Sequence, residues 1–481
     1  MKLINPLLIL RILSIILLIE TVSVLLCIPV ALIYNEPPEP FLWSAVFTLL
    51  FAVVFRFVTN VADYQKFSNR DGYLIVVLSW LIFLGFGTLP YILSGTIPSF
   101  VDAFFESSSG FTTTGSTIIT DVEILPHSIL FWRSLTHWLG GFGFIVLVII
   151  ILPSIRVTGY QLFSLESTLQ EKIHPKTKSI GYRILMIYLT LTMAEILLLA
   201  IGEMDLFESV CYSFGTMATG GFATKNDSIA GYSSYSQYII MIFMFLAGVS
   251  QVVYYYIVKL NFRKVFQNEE LWFYVGSVVI AGALVSSILL ANSTDHLEKA
   301  IRNGFFNVIS LITTTGFVST NYLFWPGSAV LFLFLLLFTG GSTGSTTGNI
   351  KMARHLIVVK NIKSAFVKIN HPNALSGIKY HGKTIAEKIN ISILSFVVLY
   401  LFIFVAGTLL VVFTGLDVVT SASSVAASLG NIGPGLGSVG PMHNYAHLPE
   451  MTKVILSLLM ILGRLEIISV FALFTRTFWK V

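Results

Sequence analysis

Four short segments of this 481-residue chain bring threonine and glycine together in one pattern. They are Ser109-Gly110-Phe111-Thr112-Thr113-Thr114-Gly115-Ser116-Thr117, Gly215-Thr216-Met217-Ala218-Thr219-Gly220-Gly221-Phe222, Leu311-Ile312-Thr313-Thr314-Thr315-Gly316-Phe317, and Ser428-Leu429-Gly430-Asn431-Ile432-Gly433-Pro434-Gly435. The chemistry such segments can do is cation dehydration, because backbone carbonyls aimed into a narrow axis replace the water shell of an ion. Glycine is needed because turning successive carbonyls to one side takes dihedrals that a Cβ makes costly. Aligning Gly115, Gly220, Gly316 and Gly433 gives intervals of 105, 96 and 117 residues, a period near one small domain. A single Thr-Gly pair means little, since both residues are common in packed membrane helices. Four in register point to one ring. Its candidate ion-binding positions are Thr113, Thr114 and Gly115; Ala218, Thr219 and Gly220; Thr314, Thr315 and Gly316; and Asn431, Ile432 and Gly433, with a cation held by their backbone carbonyls.

Elements of a particular kind must position these segments. The chain is 55% hydrophobic and 11% charged, too little polar surface for a soluble globule of its length. Apolar runs at 74–93, 129–152, 184–201, 239–258, 271–290, 391–413 and 454–474 are each about long enough to cross roughly 30 Å of hydrocarbon as helix. The short alternating segments of a β-barrel are absent. Each Thr/Gly segment follows an amphipathic stretch of about ten residues that is too short to span, and a spanning run lies on either side. That stretch reads as a re-entrant pore helix with irregular backbone behind it, tolerated at membrane depth only where protein buries it or it lines a watery cavity. A pore helix entering from outside also directs its negative C-terminal end toward the ion.

The expected fold is therefore an all-α polytopic membrane protein: four helix, pore-helix, helix repeats around one pseudo-fourfold pore. Two extra transmembrane helices precede them, the run 7–34 and 41–57. The repeats are placed at 72–160, 161–264, 265–375 and 376–481, after a two-helix extension at 1–71. The run at 7–34 reads as a retained helix, because Leu25 and Leu26 precede Cys27 where a cleavage site wants small residues. Cys27 and Cys211 lie in or beside apolar segments and read as small buried hydrophobes.

Of the 29 basic residues, Arg133, Lys225, Lys299, Arg302 and Lys453 fall in segments assigned to the outer face. Most others crowd into 56–70, 156–183, 259–264 and 351–388 or sit at the chain ends, which makes those loops and both termini cytoplasmic. The net charge of +5 reports this topology and calls for no nucleic-acid partner. The bland role of the basic loops is to hold topology and touch anionic lipid.

A second candidate site lies below the ring. The second spanning run of the third repeat is interrupted by Thr339, Gly340, Gly341, Ser342, Thr343, Gly344, Ser345, Thr346, Thr347, Gly348 and Asn349, whose four glycines and clustered hydroxyls do not hold a regular helix. Gly340 lies 24 residues after Gly316, much as Gly140 lies 25 after Gly115 and Gly248 lies 28 after Gly220, so the interruption belongs at membrane depth. Gly463 and Arg464, 30 and 31 residues after Gly433, belong to the same layer. An arginine at the centre of a spanning helix costs on the order of 2.5–3.5 kcal/mol, so Arg464 should face the pore or a partner. Glu466, two residues on, does not face it on a helix. The residues Gly340 to Asn349 and Arg464 are read as a gate.

With the repeats aligned, the chain resembles the Trk/Ktr/HKT superfamily of potassium transporters, and in particular its TrkH-type subunits, over essentially its whole length. The likeness is carried by Asp102-Ala103-Phe104-Phe105-Glu106 leading into Thr112 to Gly115, by Ala218-Thr219-Gly220-Gly221-Phe222, by Gly340 to Ser345, by Asn431-Ile432-Gly433-Pro434-Gly435-Leu436-Gly437, and by Gly463-Arg464-Leu465-Glu466-Ile467. The extra front pair of helices also looks like the TrkH type. The resemblance implies potassium selectivity, since a serine at the position of Gly115 is associated with sodium-permeable plant relatives. It also implies a gate toward the cytoplasm, a homodimer with one pore per chain, and a cytosolic nucleotide-binding TrkA-type ring of RCK domains as partner. Nucleotide would then sit on the partner, with no cofactor in this chain. The location implied is the bacterial cytoplasmic membrane.

Other motifs carry less. The GxGxxG run Gly435 to Gly440 lacks the strand-to-helix context of a dinucleotide site. No nucleophile, base or metal cluster converges, so an enzyme is not expected. His137 and His174 read as lone histidines without a second ligand. Glu106 reads as a filter-supporting or cation-attracting carboxylate, and Glu195 as a structural one. An ion-coupled symporter, carrying potassium with Na+ or H+, is the competing reading; it calls for a carboxylate or histidine relay, which the sequence does not trace.

Overall fold

The computed structural model describes residues 4–59, 68–146, 177–292, 296–372 and 377–479. His174, the junction near residue 160 and most of the basic loop 156–183 lie outside the described residues.

The fold is helical and built for lipid. Among the described residues, six helices are long and apolar enough to span: Pro6–Ile33, Glu39–Val58, Arg70–Leu93, Arg183–Ile201, Glu269–Asn292 and Glu387–Val412. The first two are the front pair, and the other four are the first, outer helices of the repeats. Glu387–Val412, at 26 residues, reaches about 39 Å. Its Val398, Phe402, Leu409 and Leu410 are exposed while Ile393, Phe396, Tyr400 and Val411 pack inward. An exposed apolar stripe of this kind is unfavourable in water and neutral in hydrocarbon. The only strands among the described residues are the two-residue pair Lys379–Tyr380 and Lys383–Thr384, a hairpin at the start of repeat 4.

Four short helices follow the outer helices, one per repeat: Phe100–Phe111, Leu206–Ala218, Leu297–Ile312 and Val418–Gly430. Ser99, Asp205 and Asp417 cap three of them by accepting the N–H of Asp102, Glu208 and Thr420. Each breaks at its Thr/Gly segment, which is buried.

Of the second, inner helices, the third is interrupted where its sequence predicts, and the second and fourth depart from the expected continuous spans. Only the first, His127–Val146, is unbroken where described. The second bends by 95° between Ser234–Ala247 and Gln251–Val258. The third stops at Gly327–Leu336 and resumes at Met352–Asn370. The fourth, read from sequence as one run over 454–474, ends as Glu450–Arg464 and restarts as Ile467–Leu473, with Glu466 in the left-handed region at φ 57°. These breaks share one layer, where protein satisfies the backbone groups that a break releases. The Gly248 carbonyl, freed in repeat 2, accepts from Ser342 N at 2.9 Å, and Gln251 N donates to Gly344 O at 3.4 Å.

Candidate ion pathway

The Thr/Gly segments close head to tail. In each repeat a backbone N–H returns to the pore-helix carbonyl five residues earlier: Thr114 to Ser109, Gly220 to Gly215, Thr315 to Ser310 and Ile432 to Ala427, all at 2.8–2.9 Å. The residue before each of these is left-handed, Thr113, Thr219, Thr314 and Asn431 at φ 55–56°. The residue after each is a glycine with positive φ: Gly115 at 86°, Gly221 at 81°, Gly316 at 81° and Gly433 at 100°. A Cβ on Gly115 would strike Gly220 O, one on Gly221 would strike Thr315 O, one on Gly316 would strike Ile432 O, and one on Gly433 would come within 2.7 Å of Thr114 O. Repeat 1 thus meets 2, 2 meets 3, 3 meets 4 and 4 meets 1.

This geometry shifts the alignment in repeat 2. The glycine equivalent to Gly115, Gly316 and Gly433 is Gly221, so the matching triplet is Thr219-Gly220-Gly221, and Ala218 belongs to the pore-helix end. Two adjacent glycines made the register ambiguous in sequence. In the other three repeats the sequence-derived triplets coincide with the equivalent positions.

All four ring glycines line the floor of one vestibule of about 700 Å³, counted to its open mouth, with Thr117, Asn226 and Tyr445 on its walls. Asn226 donates to Asp121 there, and that amide and the Glu123 N–H hold the Asp121 carboxyl below its ordinary value. Four of the five basic residues assigned to the outer face are neutralised. Arg133 pairs with Glu106 at 2.9 Å, Lys453 with Asp102 at 2.7 Å, Arg302 with Glu298 at 2.7 Å and Lys225 with Glu208 at 3.7 Å. A cation approaching the ring therefore meets little uncompensated positive charge from them.

Behind the ring, side chains splint repeat to repeat. Glu106 accepts from Arg133 Nε, from Thr117 Oγ1 at 2.9 Å and from Ile118 N at 2.9 Å, while Arg133 also donates to Ala223 O at 3.2 Å and lies 4.1 Å over the Phe222 ring. Glu106 is fully buried, so of its two sequence roles the supporting one fits and the cation-facing one does not. His137 Nδ1–H donates to Gly110 O at 2.7 Å and Nε2 accepts from Phe222 N at 3.0 Å, which makes it a neutral bridge between repeats 1 and 2. Sequence reasoning passed over Arg133 and His137. The available signal was a Glu, an Arg and a His within one apolar repeat. In repeat 4, Asn431 Nδ2 donates to Thr114 Oγ1 at 3.0 Å and to Met460 O at 2.9 Å, and Tyr445 OH donates to Gly433 O at 2.8 Å. Glu195 is fully buried beside Thr216 of the second pore helix.

The interruption of repeat 3 lies against the underside of the ring. Gly348 N donates to Thr314 Oγ1 at 2.8 Å, Thr346 Oγ1 donates to Met217 O at 3.1 Å and lies 3.4 Å from Thr219 Oγ1, and a Cβ on Gly348 would come within 2.5 Å of Gly430 O. Its stem is paired, Gly340 N to Ile350 O at 2.9 Å and Met352 N to Gly341 O at 3.0 Å. Asn349 donates to Leu337 O and accepts from Tyr400 OH. Arg464 is buried and donates to Thr346 O at 2.8 Å and to Gly140 O of repeat 1 at 3.1 Å. Lys351, assigned from sequence to a cytoplasmic loop, is also buried and caps the carbonyls of Ser345 and Thr347.

The TrkH family model, described as a cation transport protein, matches residues 41–275 and 271–480. The chain belongs to the TrkH family. The Trk system potassium uptake protein TrkH of Salmonella typhimurium is 33% identical over 94% of both chains. The protein of the same name from Halomonas elongata is 33% identical over 98% of this chain and 99% of its own. The crystal structure of the potassium transporter TrkH from Vibrio parahaemolyticus superposes with a TM-score of 0.91, at 30% identity, over 98% of this chain and 99% of that one. The chain is therefore a multi-pass membrane protein of a potassium-transport family whose members are not enzymes.

Proposed function

We propose that the chain is a potassium-selective, channel-like uptake pathway, gated from the cytoplasmic side by the loop 340–349 and Arg464. The observation that carries this reading is the closed ring, in which carbonyl-bearing backbone from four repeats is fixed by identical hydrogen bonds at the floor of an outward vestibule. Such a ring replaces hydration water without moving any side chain. Below it, a guanidinium held about 8 Å from a passing cation would repel it by roughly 2 kcal/mol at an effective dielectric of about 20, a factor near thirty in occupancy. Arg464 would act as that barrier, and the loop as its movable support.

The regulator in this reading is a cytosolic nucleotide-binding TrkA-type ring of RCK domains docked on the basic segment 351–388, with nucleotide on that partner and none on this chain. The assembly is a homodimer with one pore per chain, placed in a bacterial cytoplasmic membrane with both termini cytoplasmic. The alternative, a symporter coupled to Na+ or H+, is separated by reversal potential in reconstituted bilayers. Current that follows the potassium Nernst potential alone supports the channel, whereas a fixed coupling ratio overturns it. Gly115→Ser tests the ring itself. At φ 86° and against Gly220 O, the side chain must displace a carbonyl, so discrimination between K+ and Na+ should collapse. Unaltered selectivity would remove the ring from the mechanism.

A further inference from the structure

Glu270 belongs to neither the ring nor the gate read from sequence, yet one buried carboxylate there holds three partners from three parts of the chain. Its Oε1 accepts from Thr343 N of the loop at 2.6 Å and from Ala353 N, just past the loop, at 3.0 Å. Its Oε2 accepts from Tyr380 OH at 2.9 Å. Glu270 sits in the first turn of the outer helix of repeat 3, and Tyr380 sits on the short hairpin of repeat 4, which the charge pattern places on the cytoplasmic side. The Tyr380 side chain is buried in an apolar cluster with Leu356, Ile357, Ile385 and Ile393, while Lys379, Gly382, Lys383 and Thr384 of the same hairpin are exposed.

A carboxylate that accepts two backbone N–H groups from the stem of an irregular loop fixes that loop more firmly than a neutral partner would. The third acceptor position is filled from a surface element that a cytosolic protein could reach. From this juxtaposition we propose that Glu270 and Tyr380 are positioning residues of the gate: a latch through which displacement of the hairpin 378–385 releases the loop 340–349. The proposal rests on the gated-pathway reading above. Lys360, which donates to Lys379 O at 2.7 Å and pairs with Glu269, and His381 Nδ1, which accepts from Glu269 N at 3.2 Å, keep the hairpin seated next to the latch. Drawing the hairpin away removes Tyr380 OH from Glu270 and leaves a buried carboxylate short of a donor. A carboxylate short of a donor is costly to keep buried, which favours swinging Glu270 toward water and away from Thr343 and Ala353.

The test is Rb+ uptake into proteoliposomes holding the full-length protein with no added partner, normalised to monodisperse protein. Tyr380→Phe removes only the hydroxyl and keeps the apolar cluster. It should raise basal uptake about ten-fold, the factor that one hydrogen bond to a charged group supports, with Rb+/Na+ preference unchanged. Glu270→Gln should do the same, and the double variant should exceed neither single by more than about two-fold, because both break one linkage. A merely structural hydrogen bond would lower the yield of folded protein and leave uptake per folded molecule untouched, which would overturn the latch. Independent, multiplying effects of the two changes would also overturn it. A variant shortened within 340–349 separates the two readings. If shortening raises uptake and Tyr380→Phe does not, the latch is wrong and the gate stands; if neither changes uptake, both fall.

Discussion

In the ring, each repeat supplies the same backbone: a left-handed residue, an N–H returned to the pore helix, and a positive-φ glycine against the next repeat's carbonyl. In the layer beneath, the same repeats supply four different things. Repeat 1 offers a helix carbonyl at Gly140, repeat 2 a bend at Gly248, repeat 3 a paired loop, and repeat 4 an arginine ahead of a break at Glu466. In the filter reading proposed above, equal parts suit a cation in the centre, which needs oxygens at similar distances on all sides. In the gated reading proposed above, the layer is unequal because a gate has to move one wall against others that stay. The loop of repeat 3 is tied to carbonyls and a hydroxyl of repeat 2 and to a hydroxyl and the guanidinium of repeat 4, and it reaches repeat 1 through Arg464.

The sharpest way to break this comparison is to add one carbon to the ring. Gly316→Ala places a methyl group against Ile432 O at φ 81°, and nothing nearby can yield except the ring itself. Uptake of K+ should fall below detection in Rb+ flux assays while the protein still folds and inserts. Gly433→Ala meets Thr114 O at 2.7 Å, a looser approach, and should retain measurable flux with poorer K+/Na+ discrimination. Equal tolerance of both changes would mean that the ring is not the narrow part.

Next in size is the buried pair that splints the ring. Arg133→Met leaves buried Glu106 without its strongest donor, and breaking a buried pair this way costs about 3–5 kcal/mol. The double change Arg133→Met with Glu106→Gln should recover much of that loss. Thermal unfolding in detergent measures both, and a double variant less stable than Arg133→Met alone would contradict the splint. A smaller effect is expected in the layer beneath. Arg464→Met removes the proposed barrier and one support of Thr346 while keeping a long apolar side chain, and should raise basal Rb+ uptake about ten-fold without changing ion preference. Changed selectivity in that variant would mean that the two layers are not separate.

The difference between the layers also decides what the sequence made legible. The helical class, the front pair, the four pore helices and three of the four ring triplets follow from apolar length and a repeated Thr/Gly motif, since regular backbone leaves a periodic trace. The loop 340–349 was legible from its glycines. The bend at Gly248 and the break after Arg464 were not, because only a few polar residues interrupt otherwise apolar runs there, Ser250 and Gln251 in one and Arg464 and Glu466 in the other, and the released backbone groups are satisfied by other repeats. Partners separated by tens to hundreds of residues, such as Glu106 with Arg133 and Glu270 with Tyr380, leave no local pattern at all.

Asn431 gives the finest test of whether the ring is built from backbone or from side chains. It occupies the slot held by Thr113, Thr219 and Thr314, and its side chain reaches Thr114 Oγ1 and Met460 O. Asn431→Thr makes the fourth repeat resemble the others. It gives up two hydrogen bonds worth about 1 kcal/mol each and places a β-branched residue at φ 55°, a conformation the other three repeats already sustain with threonine. If the ring is a backbone structure, selectivity between K+ and Na+ should hold and only the melting temperature should fall, by a few degrees. A loss of selectivity would show instead that the asymmetry of repeat 4 reaches the ion, and that the equality of the ring depends on one unequal side chain.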